Sequence, residues 1–175
     1  EHILNISLIE NAEVVALSDP HEASLNQCKD MLKTKVPCFK NHQDMIKENL
    51  VDVYLISSPN FTHIGILKDV IKSKKHILVE KPLCTNTKDC LEIKRLTKDY
   101  PSVFWTAMEY RYMPPVAKFI NEIHNKTIGE LKTLTIREHR FPFLKKVNDW
   151  NRFEKNTGGT LVEKCCHFFD LMCLI

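Results

Sequence analysis

Glycine is scarce in this sequence, and long apolar runs are absent. Only four glycines occur among the 175 residues, and no GxGxxG turn is present. Folds that alternate strands and helices usually need glycine in their tight turns, so this count is low for the fold class predicted below. No stretch reaches the ~18 uninterrupted apolar residues of a membrane span, and no signal peptide opens the chain. The sequence therefore predicts a protein without membrane helices, which we expect in the cytoplasm.

An excess of charge of one sign is also lacking. The 25 basic and 22 acidic residues are interspersed, and the net charge is +3. Lys72, Lys74 and Lys75 form a local cluster without interleaved aromatic side chains or a recognised binding motif. Hydrophobic residues at 43% and charged residues at 27% are ordinary for a globular protein with a packed core. Composition therefore favours a globular protein and gives no reason to expect a nucleic-acid partner.

The cysteines lack the spacing of a disulfide framework or of a metal site. They number seven, without a CxxC pair: Cys28, Cys38, Cys84, Cys90, Cys165, Cys166 and Cys173. Consecutive helical residues point in different directions, so the run Cys165, Cys166 and His167 does not predict zinc ligation. Most of the cysteines stand in apolar surroundings, which predicts reduced, buried thiols and no bound metal.

Short β-branched runs alternate with longer stretches of helical periodicity from Asn11 onward. Strands are predicted at 13–18, 36–39, 53–57, 76–79 and 103–109, and helices at 20–32, 43–48, 61–74 and 88–98. Asp19 as N-cap, Pro20 at the first helical position and Glu22 at the third form a capping box for the first of these helices. This rhythm with short connections predicts an α/β fold with a doubly wound parallel sheet.

The pattern changes after residue 110, which we interpret as entry into a second domain. Pro114 begins a helix to about His124, and the segment 131–139 alternates as a strand with one exposed face. The segment 141–157 is polar and irregular, whereas the segment 161–175 has helical periodicity.

Polar side chains follow three of the predicted strands. Asp19 ends the first, where an acidic residue of a dinucleotide-binding sheet binds ribose hydroxyls and repels a 2′-phosphate, although helix capping alone also explains it. The segment 57–63 opens a helix at a ligand-binding edge, unless Asn60 is simply an N-cap and His63 a surface residue. Lys81 ends the next strand, where burial would fit it for proton transfer, but a solvated lysine is the alternative. Three such strand ends in succession favour a cofactor site.

A polar stripe marks the final predicted helix. At about 100° per residue, Glu163, His167 and Asp170 share one face. The opposite face carries Leu161, Cys165, Phe168, Met172 and Ile175. A carboxylate and an imidazole four residues apart can touch. An ordinary solvated face is the alternative, but apolar residues flank the stripe on both sides, which favours a buried cleft.

Together these segments resemble the family of glucose-fructose oxidoreductases, inositol dehydrogenases and rhizopine catabolism proteins (Gfo/Idh/MocA). The matching segments are AEVVALSDP at 12–20, DVYLISSPNFTH at 52–63, HILVEKPL at 76–83, EYRYMPP at 109–115, IGELKTL at 128–134 and GGTLVEKCCHFFDL at 158–171. Each segment is weak evidence alone, whereas their order and spacing are specific.

The resemblance implies a Rossmann domain over 1–110, without its first strand and glycine turn. It further implies the start of an α/β substrate domain with a mainly antiparallel sheet over 111–175, and pairing of chains through that sheet as a homo-oligomer. A cis bond before Pro82 would aim Lys81 at the substrate.

The resemblance also assigns a cofactor, NAD in preference to NADP, and the residues that contact it. Asp19 would bind the adenosine ribose. The cofactor would be lined by Ser57, Pro59, Asn60 and His63. Glu80 and Glu109 would lie by the nicotinamide ribose or amide, and Lys81 would also contact the cofactor.

The catalytic residues implied by the resemblance are Lys81, Glu163, His167 and Asp170. Lys81 would contact the reacting hydroxyl, His167 would be the general acid and base, and Asp170 would contact or orient the substrate. Glu163 stands where the dehydrogenases of the family usually have aspartate, which moves the carboxylate by about one methylene.

The activity implied is hydride transfer between a nicotinamide cofactor and a secondary alcohol of a sugar, inositol or related polyol. A redox-neutral, NAD-dependent glycoside-cleaving enzyme and a non-catalytic ligand sensor on the same scaffold are the alternatives. The chain begins at Glu1 rather than Met and ends in an apolar-periodic stretch. We therefore expect both ends to be cut, and the isolated chain to bind NAD weakly if at all.

Overall fold

The computed structural model of the chain describes residues 1–139 and 141–175. The strands are β1 Leu17–Ser18, β2 Cys38–Phe39, β3 Val53–Ile56, β4 His76–Val79 and β5 Phe104–Thr106. The α-helices are α1 His2–Ile6, α2 Glu22–Met31, α3 His42–Glu48, α4 His63–Val70, α5 Thr87–Leu96, α6 Pro114–His124, α7 Glu154–Thr157, α8 Thr160–Glu163 and α9 Cys166–Leu174. Short 3-10 helices occur at Asn60–Thr62, Ile71–Ser73, Glu109–Tyr112 and Val147–Arg152.

The strands form two parallel sheets. β1 pairs with β2, with Leu17 opposite Cys38. The second sheet has the order β3-β4-β5, with Val53 opposite His76 and Ile77 opposite Phe104. The prediction of a parallel α/β fold is confirmed, although the described strands are divided between two sheets. Because parallel strands run in one direction, the residues that follow β3 and β4 lie at the same edge.

The first strand is shorter than the six residues predicted, because only 17–18 pair with a neighbouring strand among the described residues. Val15 and Ala16 instead pack against the core of the three-stranded sheet. The helix that follows begins at Glu22, with His21 as N-cap and no side-chain cap. The predicted capping box is therefore wrong: Asp19 Oδ1 accepts a hydrogen bond from the His21 backbone N–H at 2.8 Å and forms a turn before the helix.

Two other helices begin at a matching pair of residues. Asn41 accepts a hydrogen bond from the Asp44 backbone N–H before α3, and Asn86 accepts one from the Asp89 N–H before α5. In each pair the asparagine side chain donates in return to the aspartate carboxylate, at 2.7 Å. Such reciprocal bonds satisfy helix-terminal N–H groups and fix where the helix begins.

The core lies between the three-stranded sheet and the helices α4 and α5. Its buried residues are Val51, Tyr54, Ile56, Leu67, Val70, Ile77, Val79, Cys84 and Ile93. Alternate residues of β3 and β4 supply the sheet side of this core, as a period of two requires. Burial of these side chains holds β3 and β4 in place, and with them the turns at their carboxyl ends.

The chain beyond residue 111 departs from two predictions. The segment 131–139 forms no strand, and every strand pair in the described residues is parallel. Alternating apolar residues form a strand only when a partner strand satisfies their backbone groups, and 131–139 has none among the described residues. The segment predicted as irregular contains the short helices Val147–Arg152 and α7.

The seven cysteines are all free thiols, as the sequence predicts. Only Cys84 among them is buried, and Cys173 is exposed, so the prediction of buried thiols is wrong for most of them. Among the described residues, no helix combines the length and the apolar character that crossing a membrane requires.

Candidate active site

The turn after β3 is held together by its own side chains. Thr62 Oγ1 lies 2.7 Å from both the Ser58 hydroxyl and the Pro59 carbonyl oxygen. Asn60 is buried, and its Nδ2 has no hydrogen-bond partner in the described part of the chain. A buried amide donor without a partner is costly unless a ligand or water completes it. Together with the exposed Ser57, this turn offers polar groups to a ligand at the sheet edge.

His63 is fully buried at the start of α4. Its Nδ1 lies 2.9 Å from the Pro82 carbonyl oxygen and its Nε2 lies 2.9 Å from the Ser58 carbonyl oxygen. Both ring nitrogens are thus directed at backbone groups of the protein. The His63 ring is therefore held by the protein's own backbone, and its place in the cofactor wall stays a prediction.

The end of β4 carries the two charged residues that the sequence singles out. The Lys81–Pro82 peptide bond is cis, as the resemblance implies. Glu80 Oε1 lies 2.7 Å from His2 Nε2, and Glu80 Oε2 accepts a hydrogen bond from the Lys81 backbone N–H at 3.2 Å. Glu80 thereby links α1 to the turn that contains Lys81 and Pro82.

The side chain of Lys81 joins the two halves of the site. Its Nζ donates a hydrogen bond to the Glu163 carbonyl oxygen at 3.1 Å, across 82 positions of the chain. The final helix predicted as continuous over 161–175 is broken there, since α8 ends at Glu163 and α9 begins at Cys166. In an unbroken helix the Glu163 carbonyl would accept from the residue four positions on, whereas here it accepts from Lys81.

His167 is the buried imidazole of the site, with 1% of its surface exposed. Its Nε2 lies 3.3 Å from Glu109 Oε1, while its Nδ1 has no hydrogen-bond partner in the described residues. Burial and the neighbouring cations Lys81 and Lys164 lower the pKa of His167 to about 4. The ring is therefore neutral at pH 7, and a neutral imidazole can accept a proton.

Two residues that sequence reasoning missed enclose this imidazole. The Tyr110 ring stacks on His167 with centroids 4.1 Å apart and planes 6° apart. Lys164, itself buried, lies with its Nζ against the Tyr110 hydroxyl and 2.9 Å from Glu138 Oε1. Although burial lowers the pKa of Lys164, its hydrogen bonds to Tyr110 and Glu138 raise it overall. Lys164 is therefore a fixed positive charge beside the ring.

Asp170 is paired with a third residue that sequence reasoning missed. Arg111 binds it through Nε and a terminal guanidinium nitrogen, one to each carboxylate oxygen. This bond raises the pKa of Arg111 above its ordinary value. Bidentate pairing holds both side chains in one geometry, so Asp170 is oriented by the Glu109–Tyr112 turn.

Glu109 lies at the mouth of the site, with half of its side chain exposed. Burial of its carboxylate and the nearby Glu80 charge raise the pKa of Glu109. The predicted catalytic stripe is thus rearranged. His167 faces Glu109, and Asp170 faces Arg111, while the main chain of Glu163 holds Lys81.

Asp19 lies at the carboxyl end of β1, where the sequence places it. Its backbone N–H donates to the Phe39 carbonyl oxygen at 3.1 Å, which continues the pairing of β1 with β2. The side chain is partly exposed at this sheet end and accepts from the His21 N–H. A carboxylate at such a position can accept hydrogen bonds from the hydroxyls of a ribose.

The residues present fit one end of a dinucleotide. Asn60 Nδ2, which has no partner within 1–139 and 141–175, and the polar edge after β3 and β4 suit a ribose and a nicotinamide amide. The glycines of the chain are Gly65, Gly129, Gly158 and Gly159, none of which lies in the turn directly after a described strand, where a glycine turn would cradle a pyrophosphate. No group of three or more His, Cys, Asp or Glu within 1–139 and 141–175 is arranged to hold a metal ion.

Two family models match the chain in order along its length. The first is described as an oxidoreductase family with an NAD-binding Rossmann fold and matches residues 1–108. The second is described as the C-terminal alpha/beta domain of an oxidoreductase family and matches residues 120–175.

Individual proteins are similar over nearly the whole chain. Myo-inositol 2-dehydrogenase of Thermotoga maritima is 29% identical over 172 residues, which cover 97% of this chain and 49% of that protein. The 2,7-anhydro-N-acetylneuraminate hydratase of Escherichia coli is 21% identical over 171 residues, covering 97% of this chain and 44% of that protein. The crystal structure of a probable dehydrogenase from Thermotoga maritima matches with a TM-score of 0.79 at 25% identity, covering 99% of this chain and 50% of that chain.

The chain spans about half the length of the curated relatives it matches. The first family model alone matches more than half of the chain. The second model follows it along the chain and contains His167 and Asp170. The chain therefore belongs to the Gfo/Idh/MocA family of oxidoreductases, in which the first domain is an NAD-binding Rossmann fold.

Proposed function

We propose that the protein in its full natural length is an NAD-dependent dehydrogenase that oxidises a secondary alcohol of a sugar, an inositol or a related polyol. The observation that carries this proposal is the arrangement of a neutral, buried imidazole beside a lysine amine. His167 Nδ1 is unpartnered among the described residues, and Lys81 Nζ is held at the Glu163 carbonyl, four residues from that ring in sequence. One group accepts a proton and the other stabilises a negative oxygen, as alcohol oxidation requires.

Each charged residue has a definite part in this proposal. His167 accepts the hydroxyl proton at Nδ1, and Lys81 donates a hydrogen bond to the alcohol oxygen as negative charge develops on it. Asp170, held by Arg111, orients the substrate hydroxyls. Glu163 holds Lys81 through its carbonyl oxygen, and Glu109 lies against Nε2 of His167, where its carboxylate would support the imidazolium.

The cofactor half of the site is assigned on the same basis. Asp19 would bind the adenosine ribose and select NAD over NADP, because its charge repels a 2′-phosphate. Ser57, Pro59 and Asn60 would line the cofactor, and Glu80 with Glu109 would lie by the nicotinamide end. NAD when bound supplies the hydride acceptor. We place the boundary between the cofactor domain and the substrate domain at residues 110 and 111.

Replacement of the two central residues tests the proposal. In the full-length protein, Lys81→Met and His167→Asn should each abolish formation of NADH from a panel of inositols and sugars. Their Kd for NAD, measured by isothermal titration, should stay within about threefold of the wild-type value, because most of the nucleotide contacts are assigned to other residues. Turnover at the wild-type rate in either variant would refute the assigned roles.

A redox-neutral reaction is the second candidate, because one relative is named as a hydratase rather than a dehydrogenase. In such a reaction the hydride taken up by the nicotinamide would be returned to the substrate. Product analysis separates the two candidates. Conversion of a substrate without net NADH, dependent on both Lys81 and His167, would favour the redox-neutral reaction.

A further inference from the structure

His63 connects two turns that are separate in sequence. The Nδ1 contact with the Pro82 carbonyl spans 19 residues, whereas the Nε2 contact with the Ser58 carbonyl stays within the turn that precedes α4. The imidazole is fully buried, and both contacts measure 2.9 Å. The first contact is therefore a brace between α4 and the turn that carries Lys81.

The hydrogen bond from His63 holds Pro82, the residue directly after Lys81. Pro82 is buried, and a buried carbonyl needs a hydrogen-bond donor. A neutral imidazole has one N–H and donates to only one of the two carbonyls that face it, so the brace requires the proton on Nδ1. Lys81 precedes Pro82 directly and extends to the Glu163 carbonyl on the opposite side of the site. A movement of the Pro82 peptide group would therefore displace the starting point of the Lys81 side chain.

We propose that His63 is a positioning residue for Lys81, acting through the hydrogen bond between its Nδ1 and the Pro82 carbonyl rather than through contact with the cofactor. The inference rests on the proposed function, in which Lys81 stabilises the developing alkoxide. A displacement of about 1 Å at such a group can cost up to about a hundredfold in rate. The cost falls on kcat, since the nucleotide contacts are left in place.

Two substitutions separate the two contacts of the ring. The amide nitrogen of asparagine reaches approximately the position of histidine Nδ1, and that of glutamine approximately the position of Nε2. His63→Asn keeps a donor for Pro82, whereas His63→Gln keeps a donor only for Ser58. His42→Gln is the matched control, because it removes a partly buried imidazole bonded to Asp69, outside the site.

The expected result is a difference between the two variants in the full-length protein. His63→Gln should lower kcat about tenfold or more with the KM for NAD within twofold, and His63→Asn and His42→Gln should stay within about threefold. Equal losses of kcat in His63→Asn and His63→Gln would overturn the proposal.

A second readout does not depend on turnover. In protein whose lysines carry ¹³C-methyl groups, the Lys81 signal, identified through Lys81→Arg, should shift in His63→Gln and keep its wild-type position in His63→Asn. A folded His63→Asn protein with a displaced Lys81 signal overturns the brace even where His63→Gln does not fold. Failure of the wild-type protein to oxidise any alcohol would refute the proposed function instead, and the Lys81 signal would still decide the role of His63.

Discussion

Lys164 places a positive charge beside the imidazole that we assign as the base. Its amine lies 4.6 Å from the centre of the Tyr110 ring, which in turn stacks on His167. Lys164 is the second of two cations that lower the pKa of His167, after burial and Lys81. Around the same ring, Asp170 and Glu138 raise its pKa, and Glu109 lies against Nε2. The basicity of His167 is thus set by several opposed charges.

Removal of the Lys164 charge should make His167 more basic. In Lys164→Met, the acid limb of the kcat profile should move upward by roughly one pH unit, since a neighbouring like charge no longer disfavours the imidazolium. NMR titration of the His167 ring in the same variant should show the same change. Lys164→Arg keeps the charge and serves as the control. A Lys164→Met profile that overlies that of the wild type would contradict this account.

Residue roles were only partly predictable from the sequence. Lys81 and His167 stand in recognisable positions, and the structure places both at one site. Tyr110, Arg111 and Lys164 were missed because their importance comes from contacts over 54 to 59 positions of the chain. Periodicity and capping describe neighbours within a few residues, so such pairings carry no local signal.

At the scale of elements, Gly158 allows α8 to approach the loop that follows β4 and Lys81. It adopts a φ of +79° between α7 and α8. A Cβ built there would lie 2.4 Å from the Thr85 carbonyl oxygen and 2.9 Å from Val162. The loop after β4 and the start of α8 therefore meet at a distance that only glycine permits.

Gly158→Ala should destabilise the protein by about 2 kcal/mol or more, because a positive φ and a backbone clash both oppose the added methyl group. Unfolding by urea, followed by circular dichroism, measures this loss. Gly65→Ala is the matched control, since Gly65 lies inside α4 with no atom within 4 Å of an added Cβ. That variant should gain about 0.5–1 kcal/mol of helix stability. Similar unfolding midpoints for the two variants would count against the close approach at Gly158.

Elements were predicted best where local and global signals agree. The strand His76–Val79 has the predicted bounds, because its apolar run pairs with β3 on one side and with β5 on the other. The prediction of a strand over 131–139 is wrong, because an alternating pattern does not show whether a partner strand is present. The final predicted helix is interrupted after Glu163, whose carbonyl accepts a hydrogen bond from Lys81 across 82 positions, a contact that helical periodicity does not encode.

On the scale of the whole molecule, the site is formed where the chain from residue 150 onward contacts the turns of the Rossmann domain. Trp150 packs edge-on against Phe61, with ring centroids 6.3 Å apart, and Lys81 reaches the Glu163 carbonyl. The fold class was predictable because a strand-helix rhythm determines it. Contacts between distant segments were not, since several packings satisfy the same local pattern.

Stability of the molecule should fall in mild acid because of His167. Its pKa is about 4 in the folded protein against an ordinary value of 6.5, so the unfolded chain binds the extra proton between these values. Stability therefore decreases as the pH falls from about 6.5 towards 4, by about 2 kcal/mol between pH 7 and about pH 5. The lowered pKa values of Asp44 and Asp69 act only below their ordinary 3.8, outside this window. Urea unfolding of wild type and His167→Gln at both pH values measures the effect, and an equal decline in the two proteins would assign it to other groups.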